Sequence, residues 1–272
     1  MRKGSIVKKT RMLKPLLSIL MLVIFIFSSS ISTGAESEKN WYFIKHGNET
    51  PSFPNDAQYL SEHGCYFVDT SKKGREEKTL YLTFDAGYEN GNIEKILDIM
   101  KEKHVTGAFF ILSNLINKNT DLVKRMASEG HIIANHTKNH KDLTKLTSEE
   151  IENNLKALEN LYNEKTGLTM PPYFRFPEGR YSEECVLLLE KLGYKTIFWS
   201  MAHADWDDNK QPNASISTQK LLNCTHPGAI ILLHPTSRTN VEILPMLIDA
   251  WREKGYTFGT LDTLVKNMDN NC

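Results

Sequence analysis

An α/β barrel of seven parallel strands with an N-terminal arm is the fold this sequence predicts, and three observations predict it. From Thr79 onward short apolar runs alternate with amphipathic segments, the texture of strands joined by helical crossovers. The runs are apolar on both faces, as strands covered on both sides are. Five of them end in a polar signature: Asp85, the pair His136 and His140, Arg175, Asp205-Trp206 and His234. An open doubly wound sheet would fit the alternation equally well, but it gathers its site near one switch point. In a barrel the carboxyl ends of all strands open onto one face, so residues far apart in sequence converge there.

The elements follow in order. Residues 1–35 read as a secretion leader: Arg2, Lys3, Lys8, Lys9, Arg11 and Lys14 precede the apolar run from Leu16 to Phe27, and Thr33-Gly34-Ala35 supplies a small-x-small cleavage site. Extending the apolar run to Ile31 leaves an uncleaved anchor as the alternative. Residues 36–78, with Pro51, Pro54 and a charged stretch from Lys72 to Lys78, have no long periodicity and read as a wrapping arm. Strands are expected over 79–85, 107–112, 131–136, 173–177, 195–200, 229–234 and 256–261. Between them Ile93, Ile96, Leu97 and Met100 put one apolar stripe on a helix, and similar patterns cover 122–128, 148–164, 183–192 and 241–254. Thr147 and Glu150 form a capping box, and Gly130, Gly193 and Gly255 close helices. The main domain spans 79–265 and a tail 266–272.

The formal charge of the whole chain is +0, but the leader holds six of the 33 Lys+Arg and none of the 33 Asp+Glu. Residues 36–272 therefore carry 27 cations against 33 carboxylates, net −6. Without a basic stripe there is no reason to expect nucleic-acid binding, and a neutral or polymeric substrate at the cell surface fits better. Membrane contact is expected only through the leader. Cys65, Cys185, Cys224 and Cys272 are far apart with no C-x-x-C pair, so no zinc knuckle or redox motif is present, and three disulfide pairings stay open.

The polar signatures have a chemical logic. His136 and His140, at i, i+4 spacing after a strand, can turn two neutral imidazoles toward a divalent metal, zinc or similar. Asp85 ends the most apolar strand and precedes Gly87, which allows a sharp turn. Arg175 lies between Phe174 and Phe176 and requires an anion; a guanidinium paired with Asp85 would hold that carboxylate ionised as a base. The turn at Pro177 and Gly179 offers backbone donors, that of Glu178 included, to a developing oxyanion. Asp205 can bind one ring nitrogen of His234 and raise its pKa, so that the other nitrogen donates a proton. Trp199, Trp206, Tyr88 and Tyr181 can stack on sugar rings. The bland counterparts are a surface histidine pair, a structural ion pair, a core histidine and simple aromatic packing. Taken together, a base, an acid, an oxyanion donor and a metal clamp describe water attacking an acyl carbonyl.

At these positions the chain resembles the polysaccharide deacetylases that share the NodB homology domain, carbohydrate esterase family 4. The resemblance runs from about Thr79 to Leu264 and rests on five ordered motifs. Thr83-Phe84-Asp85-Ala86-Gly87 matches T-F-D-D-G, and His136-Thr137-Lys138-Asn139-His140 matches H-[ST]-x-x-H. Arg175-Phe176-Pro177-Glu178-Gly179 is similar to R-x-P-x-G, Asp205-Trp206 to the D-W motif, and Leu232-Leu233-His234 to L-x-H. The resemblance implies a distorted (β/α)7 barrel that removes N-acetyl groups from amino sugars. It also implies Asp85 as general base, His234 as general acid, Arg175 as the tether of Asp85 and Asp205 as the tuner of His234. His136 and His140 would be metal ligands, with Glu178, Trp206, Leu232 and Tyr88 on the substrate wall. The third metal ligand of the family is the second Asp of T-F-D-D-G, and this chain has Ala86 there.

Tyr81 to Gly91, His226-Pro227-Gly228-Ala229-Ile230 and Ser237-Arg238-Thr239-Asn240 are further similar to the delta-lactam-biosynthetic de-N-acetylases of spore-forming bacteria, which also lack that second Asp. This likeness implies an exported enzyme acting on N-acetylmuramic acid in peptidoglycan glycan strands, after a muramoyl amidase has removed the stem peptide, and leading to muramic δ-lactam in spore cortex. The alternatives are an N-acetylglucosamine deacetylase and a glycan-binding protein whose catalytic site has decayed. Asp85, Arg175, Asp205 and His234 speak against decay, since a binding module needs neither acid nor base.

Overall fold

The computed structural model describes residues 38–270, together with Met1 and Gly4. The expected leader and Cys272 lie outside the described residues. The longest strand, Thr79–Ala86, is central to the sheet. From one edge to the other the order is Met201–Ala202, Ile230–Leu233, Thr79–Ala86, Ala108–Ile111, Ile132–Asn135, Tyr173–Phe174, Lys195–Ile197 and Cys65–Tyr66, all pairs parallel. Thr257–Phe258 adds to the start of the central strand. This is the curled parallel sheet of the expected α/β barrel.

The run 195–202 serves both edges of that sheet. Its first part pairs with Tyr173–Phe174 and Cys65–Tyr66, and its last part pairs with Ile230–Leu233. Ser200 N–H donates to the Ile230 carbonyl between the two parts. On the arm side, Val68 bridges Ala229, and Asp69 N–H donates to the Gly228 carbonyl at 2.9 Å. Gly228 has φ +80, and a Cβ there would lie 2.2 Å from the Asp69 carbonyl oxygen, so only glycine lets the two segments approach.

Two expected boundaries shift for local reasons. The strand expected over 173–177 stops at Phe174, because Pro177 carries no N–H for a ladder and begins the short helix Pro177–Gly179. The one expected over 256–261 shrinks to Thr257–Phe258, because the Thr260 hydroxyl accepts from Thr263 N–H and caps the helix Leu261–Asp269. The arm supplies a further strand, Cys65–Tyr66, and Met201–Ala202 is another, neither announced by any periodicity. The capping box at Thr147 and Glu150 forms as expected.

Alternation along the strands builds two apolar layers. Leu80, Leu82, Phe84 and Ala86 pack outward against helical residues such as Ile96, Leu97, Leu244 and Leu247. Tyr81, Phe110, Ala134, Tyr173 and Ile230 face inward and are closed below by Leu261 and Leu264 of the last helix. Thr83 and Asp85 share the inner face with Tyr81, so the central strand climbs from an apolar floor to a carboxylate at the mouth. The arm is pinned nearby: Trp41 stacks on Phe198 at 4.6 Å, and its Nε1 donates to the Trp199 carbonyl at 2.8 Å.

Candidate active site

Arg175 lies on the apolar floor and is fully buried. Its guanidinium sits 4.2 Å from the centroid of the Phe110 ring, a cation over an aromatic face. Its donors are spoken for: Nε to the Ile197 carbonyl at 2.9 Å, Nη2 to Thr83 Oγ1 at 2.8 Å and Nη1 to Asp85 Oδ1 at 2.9 Å. Thr83 passes its own proton to the Ile231 carbonyl at 2.7 Å, so its oxygen is free to accept. Burial alone would raise the Asp85 pKa, but Arg175 foremost, then His136 and His234, hold it below the usual carboxylate range. Asp85 is thus an ionised, aimed carboxylate.

His234 follows the strand Ile230–Leu233 and meets Asp205 on the neighbouring loop. Its Nδ1 donates to Asp205 Oδ1 at 2.7 Å, and its backbone N–H donates to Asp205 Oδ2 at 2.8 Å. Asn240 Nδ2 donates to the same Oδ2 at 2.5 Å and to the His234 carbonyl at 2.9 Å. Asn240 is held in the first turn of the helix Arg238–Glu253, whose cap is Ser237, the hydroxyl accepting from Asn240 N–H. His203 Nε2 lies 2.9 Å from Asn240 Oδ1 and 3.4 Å from Asp205 Oδ2. Burial opposes charging His234, but the hydrogen bond and negative charge of Asp205 prevail and raise its pKa. Asp205 itself is held below its ordinary value, His234 outweighing the cost of burial.

His136 has a different setting. Its Nδ1 lies 2.9 Å from the Arg175 carbonyl, which can only accept, so the proton sits on Nδ1 and the Nε2 lone pair faces Asp85 Oδ2 at 3.5 Å. Burial pushes its pKa down to about 4, against the pull of Asp85. Thr137 at φ 73 and His140 at φ 58 bend the following turn in the left-handed region, a strained conformation for a β-branched residue. The bend returns the His140 ring onto His136, centroids 5.0 Å apart. The two imidazoles are therefore adjacent, but a third donor is missing: Ala86 is buried in the apolar outer layer, and among the described residues no three His, Cys, Asp or Glu side chains converge to hold a metal. The residues present do not fit the three-ligand site that the resemblance implies.

Asp85, His136, His140 and His234 open onto one cleft of about 1360 Å³. The polysaccharide deacetylase family matches residues 72–197. The peptidoglycan-N-acetylmuramic acid deacetylase PdaA of Bacillus subtilis is 38% identical over 230 residues, 83% of this chain and 85% of that protein. The chain belongs to the polysaccharide deacetylase family.

This deacetylase is also 32% identical to the peptidoglycan-N-acetylglucosamine deacetylase PgdA of Listeria monocytogenes, over 71% of this chain and 40% of that protein. The solved structure of B. subtilis PdaA, a family 4 carbohydrate esterase, superposes with a TM-score of 0.79 at 37% identity, covering 84% of this chain and 97% of that one. The deacetylase is accordingly a hydrolase of acetyl amide bonds.

The expected wall residues Glu178, Trp206, Leu232 and Tyr88 all line the cleft. Glu178, at φ 55, turns its carboxylate to Arg180 at 2.7 Å and offers the cleft its turn rather than its charge. Trp206 is largely exposed, its ring 6.4 Å from that of His234. Tyr88 Oη donates to Asp208 at 2.5 Å across the cleft mouth. Sequence reasoning missed the roles of Thr83, Phe110, His203 and Asn240. Glu89, near the site, accepts N–H groups of Gly91 and Ile93 at the start of the helix Ile93–Glu102. Cys65, Cys185 and Cys224 are buried free thiols, and burial pushes that of Cys65 up to about 12.

Proposed function

We propose that this deacetylase is exported and hydrolyses the N-acetyl group of N-acetylmuramic acid in peptidoglycan glycan strands, the step that leads to muramic δ-lactam in spore cortex. The observation that carries the reading is the pairing, in one cleft, of a carboxylate salt-bridged to Arg175 with a histidine hydrogen-bonded to Asp205. The likeness to PdaA supports the choice of sugar.

In this reading Asp85 takes a proton from water as the water oxygen adds to the acetyl carbonyl carbon. Arg175 keeps Asp85 oriented, and the Glu178 N–H in the Pro177–Gly179 turn receives the developing oxyanion, Pro177 having no N–H and Gly179 giving its own to the Phe176 carbonyl. His234 Nε2 then gives its proton to the sugar nitrogen as the C–N bond breaks, releasing acetate and a free amine. Asp205 holds the imidazole in position throughout. The freed amine lies near the lactyl carboxyl of the same sugar, and closing a six-membered lactam costs little entropy. An upstream amidase would supply that free carboxyl. No step runs through a metal: His136 and His140 alone would hold a divalent ion loosely.

Residues 36–272 incubated with amidase-treated glycan strands should remove acetyl groups from muramic acid, followed by mass spectrometry of the muropeptides, with chelator and added zinc as separate arms. A second reading, deacetylation of N-acetylglucosamine, is favoured by the likeness to PgdA. Acetate released from N-acetylglucosamine oligomers, with muramic acid untouched, would replace the first reading by the second. Inertness on both would sink the enzyme reading for this chain.

A further inference from the structure

The cleft has a charge pattern that its catalytic groups do not use. Its two wall carboxylates are committed, Asp85 to Arg175 and Glu178 to Arg180. Two lysines on the wall, Lys45 and Lys220, make no ion pair among the described residues. Lys45 stands on the hairpin formed by Ile44–His46 and Glu49–Ser52, where its ammonium meets the Ala202 carbonyl at 3.4 Å and the face of Phe43. Neither neutralises an ammonium. In a chain whose residues 36–272 are net −6, two uncompensated cations over an aromatic-lined cleft select for negative charge.

Their position says where that charge lies. Ala202 is in register with Leu232, two residues before His234. Lys45 therefore reaches the cleft wall at the strand beside that of His234, on the side opposite the His136 and His140 turn across the sheet order.

We infer that Lys45, assisted by Lys220, is a specificity-determining residue that recognises a carboxylate carried by the sugar being deacetylated or its immediate neighbour. This deepens the proposed function and rests on it: muramic acid bears a lactyl carboxylate, free only when no peptide is joined to it.

The test compares the full-length protein with its Lys45→Met and Lys220→Met variants on three ligands: glycan strands with free lactyl carboxyls, the same strands with those carboxyls converted to methylamides, and strands keeping their stem peptides. Binding is read by calorimetry on an Asp85→Asn background, and turnover by acetate release. On free-carboxyl strands Lys45→Met should weaken binding and raise KM about three- to tenfold, with kcat nearly unchanged and a shallower dependence on salt. On methylamide strands the variant and the parent should be equal. Rescue by Lys45→Arg on the free-carboxyl strands is expected as well.

Equal affinity of the parent for free and methylamide strands would overturn the inference, as would an equal loss on both from Lys45→Met. Tighter Lys45-dependent binding of peptide-bearing strands would move the recognised carboxylate to the peptide and overturn it too. Because the binding arm needs no turnover, a protein that binds free-carboxyl strands through Lys45 without deacetylating them would support the inference while refuting the proposed reaction.

Discussion

His136, buried, and His234, half-buried, both stand beside a carboxylate at the mouth of one barrel, yet their pKa values are pushed in opposite directions. His234 faces Asp205, whose remaining contacts are an amide, a backbone N–H and a second imidazole, so the carboxylate's charge is left to stabilise an imidazolium. His136 faces Asp85, whose charge is already claimed by Arg175 at 2.9 Å, and at 3.5 Å the residual attraction does not offset burial. What a carboxylate does to a neighbouring histidine is thus decided by what else the carboxylate binds. One half of the site favours the charged form of its imidazole, and the other favours a neutral imidazole with a free lone pair.

The comparison breaks most visibly at Asp85. Asp85→Asn should lower kcat by a factor on the order of 10²–10⁴, the usual worth of a positioned base, measured by acetate release. Near-normal turnover would mean that the ionised carboxylate is only structural.

Asp205→Asn should cost about a hundredfold and also move the pH profile. His234 must be protonated to act, and its folded pKa is raised, so activity fades as pH rises through that value. In the variant this limb moves to lower pH. A limb that stays in place would assign it to another group.

Ala86→Asp sharpens the other half. Ala86 is fully buried, so a carboxylate there should cost about 2–4 kcal/mol in urea unfolding with chelator present. Added zinc should restore that loss if the new oxygen completes a set with His136 and His140, and not otherwise. The smallest effect is expected from Asn240→Ala, about 1–2 kcal/mol of stability by urea unfolding, with a fall of a few-fold in kcat as Asp205 loosens.

Asp85, Arg175 and His234 of the candidate site were legible because each stands at the end of a strand preceded by a readable apolar run. Asp85, Arg175 and His234 stand out as charges where the local pattern demands none. Asn240 and His203 could not be found that way: Asn240 lies in an ordinary helix start, 35 positions from the carboxylate it binds. Phe110 reads as one more core aromatic until Arg175, from a different strand, lies across it. The strand Cys65–Tyr66 was hidden for a related reason. Two residues carry no period, and their pairing depends on Lys195–Ile197, far down the chain.

The run 195–202, shared by both sheet edges, limits how this chain can change in length. One residue inserted within it would slip one ladder while the other held, turning side chains of the slipped part to the opposite face. Asp205 lies three positions beyond its end and would be carried off His234. Natural variants should therefore gain or lose residues elsewhere, as in the exposed 207–210 turn, and keep the count from 195 to 205 fixed.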